Sequence, residues 1–218
     1  MSTLFNTQPI EKKQLQIIRN MVKKNLNKKV VSGIEICKKK KVKARKIIIK
    51  GSNPLRLDIN FPENITILQK IANKTDIEIP KIIFIEGKYK YSEWIEGVMI
   101  RDVFNINEVL IKSGDLIGRL NLIKDPQNNY FLTNGEFSGS NAIWTKDRKV
   151  YIIDHGRMKS KANPDMSVIK LLLKRIQKKE RINLFLEGYS KHRNTDNIIK
   201  GLEDRNWKWS PWVERGKI

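Results

Sequence analysis

Residues 133–158, TNGEFSGSNAIWTKDRKVYIIDHGRM, constrain the fold most tightly, because a strand, a turn and a polar loop must fit into one short window. Lys149-Val-Tyr-Ile-Ile153 is a β-rich apolar run, so it predicts a strand whose end delivers Asp154 to the edge of a cleft. Gly156 then allows a sharp turn. Upstream in the same window stand a carboxylate, Glu136, and an amide, Asn141. These residue types at this spacing suit phosphoryl transfer, whose catalysis is mostly positioning and charge neutralisation. That chemistry needs an acceptor for a hydroxyl proton, which Glu136 fits. It also needs oxygen ligands that hold Mg²⁺ against nucleotide phosphates, which Asn141 and Asp154 fit.

The remaining sequence predicts the frame for that window. Leu15, Ile18, Val22 and Leu26 recur at helical spacing among lysines, giving a helix over 10–26. Val30–Ile36 and Arg45–Lys50 read as two strands joined by a basic turn over 38–43, with Lys50 ending the second. Residues 61–73 place Ile65, Leu68 and Ile71 on one face behind Pro62, so a helix carries Glu63 near its start. Two more strands, 81–85 and 89–95, meet across Glu86-Gly87, and long apolar-periodic segments follow at 106–124 and 165–187. The expected class is α+β in two lobes: residues 1–96, mostly antiparallel sheet with one key helix, and residues 97–218, mainly helical around a short hairpin.

Charge narrows the partners rather than the fold. The chain carries a formal +21, and residues 1–60 hold 16 Lys/Arg against Glu11, Glu35 and Asp58. A field of that sign attracts polyanions, tRNA among them, and binding through it weakens with salt. No stretch approaches the roughly 18 apolar residues that would span a bilayer, and MSTLFNTQPIEKK lacks a signal-peptide pattern, so a soluble, cytoplasmic chain is expected, with the nucleus open to a eukaryotic one. Cys37 is the only cysteine, which excludes an internal disulfide or a cysteine-cluster metal site.

Several residues suit narrower roles. A strand-ending lysine followed by a helix-borne glutamate forms a phosphate clamp, in which the ammonium neutralises phosphate oxygens and the carboxylate steadies it. Lys50 and Glu63 are the candidates, with Lys46 as rival to Lys50. The strand end Ser92-Glu93-Trp94-Ile95-Glu96-Gly97 offers backbone at Glu93 and Ile95 for an adenine edge. His155 reads as a packing residue, and nothing recommends His192. Trp207, Trp209 and Trp212, interleaved with basic residues, suit base stacking, a partner's groove or a tail folded onto its own domain.

Taken in order, these motifs resemble the protein-kinase-like superfamily and, within it, the PRPK family, the small atypical kinase of the KEOPS complex related to RIO kinases. Val31-Ser-Gly-Ile-Glu35 stands where that family has Gly-Ala-Glu-Ala, Ile48-Ile-Lys50 resembles its lysine strand, and Asn53–Asp58 its following segment. Gly135-Glu-Phe-Ser-Gly-Ser-Asn141 is similar to Gly-Asp-Leu-Thr-Thr-Ser-Asn, and Ile152-Ile-Asp154-His-Gly156 to Ile-Asp-Phe-Gly. Asp165-Met166, Phe185–Tyr189 and Arg215-Gly216-Lys217 continue the likeness. The chain departs from the family at Glu136, which replaces the catalytic Asp, at Asn134, which replaces a His, and at His155, which replaces a Phe.

The resemblance implies an ATP- and Mg²⁺-binding atypical kinase or ATPase subunit supporting threonylcarbamoyl-adenosine modification of tRNA. Its partners would be a threonylcarbamoyl-transferase subunit and a small subunit bound to the N-lobe. Lys50 would contact the α/β-phosphates, Glu63 would orient it, Asn141 and Asp154 would hold Mg²⁺, Glu136 would act as base or water-positioner, and Asp165 would brace the loop. A free-standing small-molecule or lipopolysaccharide-sugar kinase shares the same layout, and Glu136 also suits a catalytically silent pseudokinase scaffold. A nucleic-acid-binding protein that ignores ATP is the remaining alternative.

Overall fold

The computed structural model describes residues 6–38, 41–61, 63–134, 137, 139, 141–154 and 158–204. In chain order the elements are β1 (Asn6–Pro9), α1 (Lys12–Leu26), β2 (Val30–Lys38), β3 (Lys41–Ile49), β4 (Leu55–Ile59), α2 (Glu63–Ala72), β5 (Ile82–Glu86) and β6 (Tyr89–Glu93). There follow β7 (Val98–Met99), a 3₁₀ turn (Ile100–Asp102), α3 (Asn107–Leu120), β8 (Phe131–Asn134), β9 (Ala142–Trp144), β10 (Val150–Ile152) and β11 (Met158–Lys161). Three helices close the described chain: α4 (Asp165–Leu171), which runs into one π turn (Leu172–Ile176), α5 (Lys179–Tyr189) and α6 (Asp196–Glu203). Two compact units result, one of residues 1–62 and 80–94 and the other of 63–79 and 95–218. The crossover between Trp94 and Ile95 lies two residues from the expected boundary. The helix carrying Glu63 groups with the second unit, because Leu68 and Ala72 belong to that unit's core.

The first unit is an antiparallel sheet in the order β1-β2-β3-β4-β6-β5. Its alternation is that of a sheet with one covered face: Ile47, Ile49, Leu55, Leu57 and Tyr91 are buried in one cluster with Ile18 and Val22 of α1. The Phe84 and Tyr91 rings stack with centroids 4.2 Å apart. Leu57 is 1% exposed, so Leu57→Ala would cost ~2–5 kcal/mol in lost burial and cavity. The expected basic turn at 38–43 is shorter in the structure, since Lys38 and Lys41 pair across the end of the β2–β3 hairpin. β4 was not foreseen as a strand, yet its burial pattern follows its Leu-Arg-Leu-Asp-Ile sequence.

The second unit builds its core from α2, α3, α4, α5 and α6 around β7–β11. α3 and α5 pack with their backbones touching: a Cβ on Gly114 would strike the Phe185 carbonyl, and one on Gly188 would strike the Ile111 carbonyl. The helix expected over 165–187 is broken. The π turn ends at Gln177, whose φ is 61°, and its N–H donates to the Leu172 carbonyl at 2.8 Å before α5 begins. No helix among the described residues is long and apolar enough to cross a membrane.

Candidate active site

The window that constrained the sequence folds into two short ladders that converge at one end. β9 and β10 form an antiparallel hairpin in which Ala142 faces Ile152, and the Ile153 N–H donates to the Asn141 carbonyl at 3.0 Å. Asn141 therefore sits directly across the hairpin from Ile153, and Asp154 is the next residue out. The predicted strand does deliver Asp154 beside Asn141. Asp154 is exposed and Asn141 half-buried.

A second ladder fixes Asp154 from the other side. β8 pairs with β11, with Asn134 opposite Met158, and the Asn134 side-chain amide donates to the Asp154 carbonyl at 3.2 Å. Asn134 is only 5% exposed, so this bond orients the acid's backbone from within the fold. Sequence reasoning singled out Asn134 only as a departure from a histidine. Its signal was its position at the end of a β-branched and aromatic run immediately before the loop.

The supports extend outward to a chain of charged groups. The Ile152 N–H donates to the Glu78 carbonyl at 3.0 Å, and Arg119 of α3 donates to Glu78 Oε2 at 2.5 Å and to the Asp76 carbonyl at 2.9 Å. Arg119 also holds Asp115 at 3.0 Å, and Asp115 meets His192 Nε2 at 2.9 Å. Burial pushes the Asp115 carboxyl up, but His192 and Arg119 outweigh it and leave it below the usual range. Phe137 is buried, and Gly139 lies so close to the Arg101 backbone that a Cβ would collide with it; the Arg101 N–H donates to the Gly139 carbonyl at 3.0 Å. Glu136 and His155 lie outside the described residues, as do Trp207, Trp209, Trp212 and Arg215–Lys217.

Asp165 opens α4 and lies 3.6 Å from the Arg193 guanidinium. Arg193 in turn donates to the Asn121 carbonyl at 3.2 Å and sits 4.9 Å over the Phe131 ring at the start of β8. Among the described residues Asp165 reaches the strand that ends in Asn134 through this arginine.

In the first unit the sheet face opposite α1 is polar. Lys46 of β3, Arg56 of β4 and Ser92 of β6 are register neighbours, and Asp58 pairs with Lys90. Arg56 Nε donates to Asp58 Oδ1 at 3.0 Å, while Lys90 Nζ lies 3.3 Å from Asp58 Oδ2. Burial raises the Asp58 pKa, yet the adjacent Arg56 and Lys90 charges prevail and lower it. The Lys46 ammonium lies 4.9 Å over the Trp94 ring, and the buried Trp94 Nε1 has no hydrogen-bond partner. Glu93, expected at an adenine edge, exchanges bonds with Lys81: its N–H donates to the Lys81 carbonyl and its carboxylate accepts the Lys81 N–H, both at 3.0 Å. Ile95 is half-buried just beyond, where the chain re-enters the second unit.

Lys50 lies elsewhere. It is exposed just past β3, and its N–H donates to the Lys29 carbonyl at 2.9 Å. Its neighbours are Arg19 and Lys23 of α1, with which it lines a common cleft. The expectation of a strand-ending lysine running on to the Glu63 helix omitted β4, which intervenes and carries Arg56. Glu63 opens α2, and its side chain lies outside the described set.

This geometry can be set beside known proteins. No protein-family model and no curated sequence matches the chain. Spectinomycin phosphotransferase APH(9)-Ia, solved with ADP and spectinomycin, superposes with a TM-score of 0.65 at 13% identity, covering 88% of this chain and 83% of that one. The fold is protein-kinase-like. The kinase-like fold also matches the streptomycin–ATP complex of APH(2")-IIa, with a TM-score of 0.60, 12% identity and 91% coverage of both chains. It matches choline kinase LicA from Streptococcus pneumoniae with a TM-score of 0.53 at 14% identity, covering 94% of this chain and 93% of that one.

Proposed function

We propose that this chain is a nucleotide-dependent phosphotransferase acting on the hydroxyl of a small molecule. The observation that carries the reading is the shared hairpin end of Asn141 and Asp154, with Asn134 bonded to the Asp154 carbonyl. An amide oxygen and a carboxylate are hard donors of the kind Mg²⁺ accepts while it keeps waters and phosphates in its remaining positions. Bound there, Mg²⁺ would neutralise phosphate charge as the phosphoryl group transfers. Glu136 would accept the acceptor hydroxyl's proton. Glu93 and Ile95 would supply backbone for the adenine edge. We give the phosphate-neutralising role to Lys46 and Arg56, on the sheet face opposite α1, in place of Lys50.

The solved structures above support the choice of acceptor class, since two are complexes with spectinomycin or streptomycin and the third is a choline kinase. They favour the free-standing kinase over the KEOPS subunit, which rests on the sequence resemblance alone. A cytoplasmic setting is part of the same reading.

The test is titration with Mg-ATP, followed by a phosphate-transfer screen over aminocyclitol, aminoglycoside, macrolide and choline acceptors. Asp154→Ala should weaken Mg-ATP binding ~10²-fold or more while leaving the fold intact. Unchanged affinity would remove the metal assignment. Glu136→Asp should preserve or raise transfer, and Glu136→Ala should remove it; a fully active Ala variant would end the base role. Co-purification with a threonylcarbamoyl-transferase subunit and tRNA-stimulated ATP hydrolysis would instead favour the KEOPS reading.

A further inference from the structure

The first unit holds a second concave site, on the α1 side of its sheet. Arg19, Asn20 and Lys23 of α1, Asn27, Lys28 and Lys29 of the connection, Val30 and Val31 of β2, and Lys50 after β3 line a cleft of about 880 Å³. That volume lies in the roughly 300–1,000 Å³ range of small-molecule sites. Five of the lining side chains are cationic, none is acidic and none is aromatic. Arg19 and Lys23, one helical turn apart, share a face of α1, while Lys28, Lys29 and Lys50 approach from the strand ends.

Two of these cations already have defined contacts, and both are neutral. Lys28 Nζ bonds the Ser52 hydroxyl, and Lys23 Nζ donates to Asn27 Oδ1 at 2.5 Å. No carboxylate among the lining residues offsets the cluster, although nearby carboxylates are spent elsewhere: Glu35 on Arg45 and Glu86 on Lys24. Clustering like charges in a concavity costs self-repulsion, which a multivalent anion relieves. Flexible lysines act as point charges toward phosphate. Single-stranded nucleic acid would also call for aromatic platforms, and this cleft has none.

We propose that this cleft binds a compact ligand bearing clustered phosphates, independently of the phosphotransferase site. A soluble polyphosphate and a multiply phosphorylated lipid headgroup share that chemistry. The Val31 side chain, 53% exposed among the lining residues, offers apolar contact to a lipid and none to a free polyphosphate.

The experiment is calorimetric titration of the full chain with sodium tripolyphosphate in the presence of EDTA, so that Mg²⁺-dependent binding is silent. Saturable one-to-one binding is expected, weakened at least tenfold in the Arg19→Glu/Lys29→Glu variant and by added salt. The Arg19→Lys/Lys29→Arg variant should retain it, and circular dichroism should show all variants folded. Sedimentation with phosphatidylcholine vesicles containing phosphatidylinositol bisphosphate separates the sources: binding that tripolyphosphate displaces identifies a headgroup, and its absence identifies the free ligand. Equal affinity in wild type and the double-Glu variant would overturn the proposal. So would binding of duplex RNA without saturable tripolyphosphate binding. Loss of Mg-ATP binding in Asp154→Ala leaves this titration unaffected, so the two sites fail separately.

Discussion

Two part-buried charge clusters, one in each unit, are built from the same parts and come out with opposite balance. On the first unit's sheet, Asp58 sits between Arg56 and Lys90, with Lys46 the register neighbour of Arg56, so three cations face one acid. In the second unit, Arg119 joins Glu78 to Asp115, and Asp115 also meets His192, so two acids face one permanent cation. Among the described residues the first cluster's defined ion pairs bring together more cations than acids on the sheet face opposite α1. The second ties its two acids together through Arg119 and pins β10 through the Glu78 carbonyl. A cation-rich cluster suits an anionic ligand, and one whose groups are tied to each other suits support.

The comparison breaks most easily at Asp58. Lys90 is 4% exposed, and its ammonium lies 3.3 Å from Asp58 Oδ2, so its buried charge draws on that acid. Asp58→Ala should destabilise the protein by ~3–5 kcal/mol, the cost of leaving a buried charge unmatched. Adding Lys90→Met should recover most of that loss, as urea unfolding of the single and double variants would show. If the single variant is as stable as wild type, Lys90 has another counter-charge and the surplus is illusory.

The next contrast separates surplus from support. Arg56→Met or Lys46→Met should weaken Mg-ATP binding about tenfold, near 1.4 kcal/mol, with a smaller change in unfolding free energy. Arg119→Met should do the reverse, lowering the unfolding midpoint while leaving nucleotide affinity within about twofold. Equal effects of both variants on both readouts would erase the distinction between the clusters.

How much of this was written in the sequence depended on the range of the interaction. The periodicity of Ile18 and Val22 gave α1, and the apolar run 149–153 gave β10, because both are local patterns read against solvent. β4 was passed over, although Leu-Arg-Leu-Asp-Ile alternates as a strand should. Its charged residues disguised a strand with one polar face. The break at Gln177 had no turn residue to announce it, and the fit of Gly114 against Phe185 and of Gly188 against Ile111 joins positions more than 70 residues apart. Asn134 looked like a mere departure because its partner is a main-chain carbonyl 20 residues away, a contact that no residue type encodes.

The smallest effect should fall on the matched cluster, and it should depend on pH. Asp115 is held below the usual carboxylate range, after burial, by His192 and Arg119. A group whose pKa is depressed in the folded state contributes stability above the unfolded-state value and loses it as pH falls through the folded one. Wild type should therefore lose stability on acidification through and below the ordinary Asp range, and Asp115→Asn should lose less over that interval. At neutral pH the Asn variant should cost only about 1 kcal/mol, since the carboxylate is part-exposed and Arg119 keeps Glu78. Asp58 obeys the same sign, so Asp58→Asn should flatten the acid limb too, from a much lower starting stability. The difference between the two slopes, measured by thermal unfolding across the acid range, separates the acid held by Arg56 and Lys90 from the acid held by Arg119 and His192. Identical slopes would mean that the two acids are held alike and that the make-up of the two clusters does not matter to them.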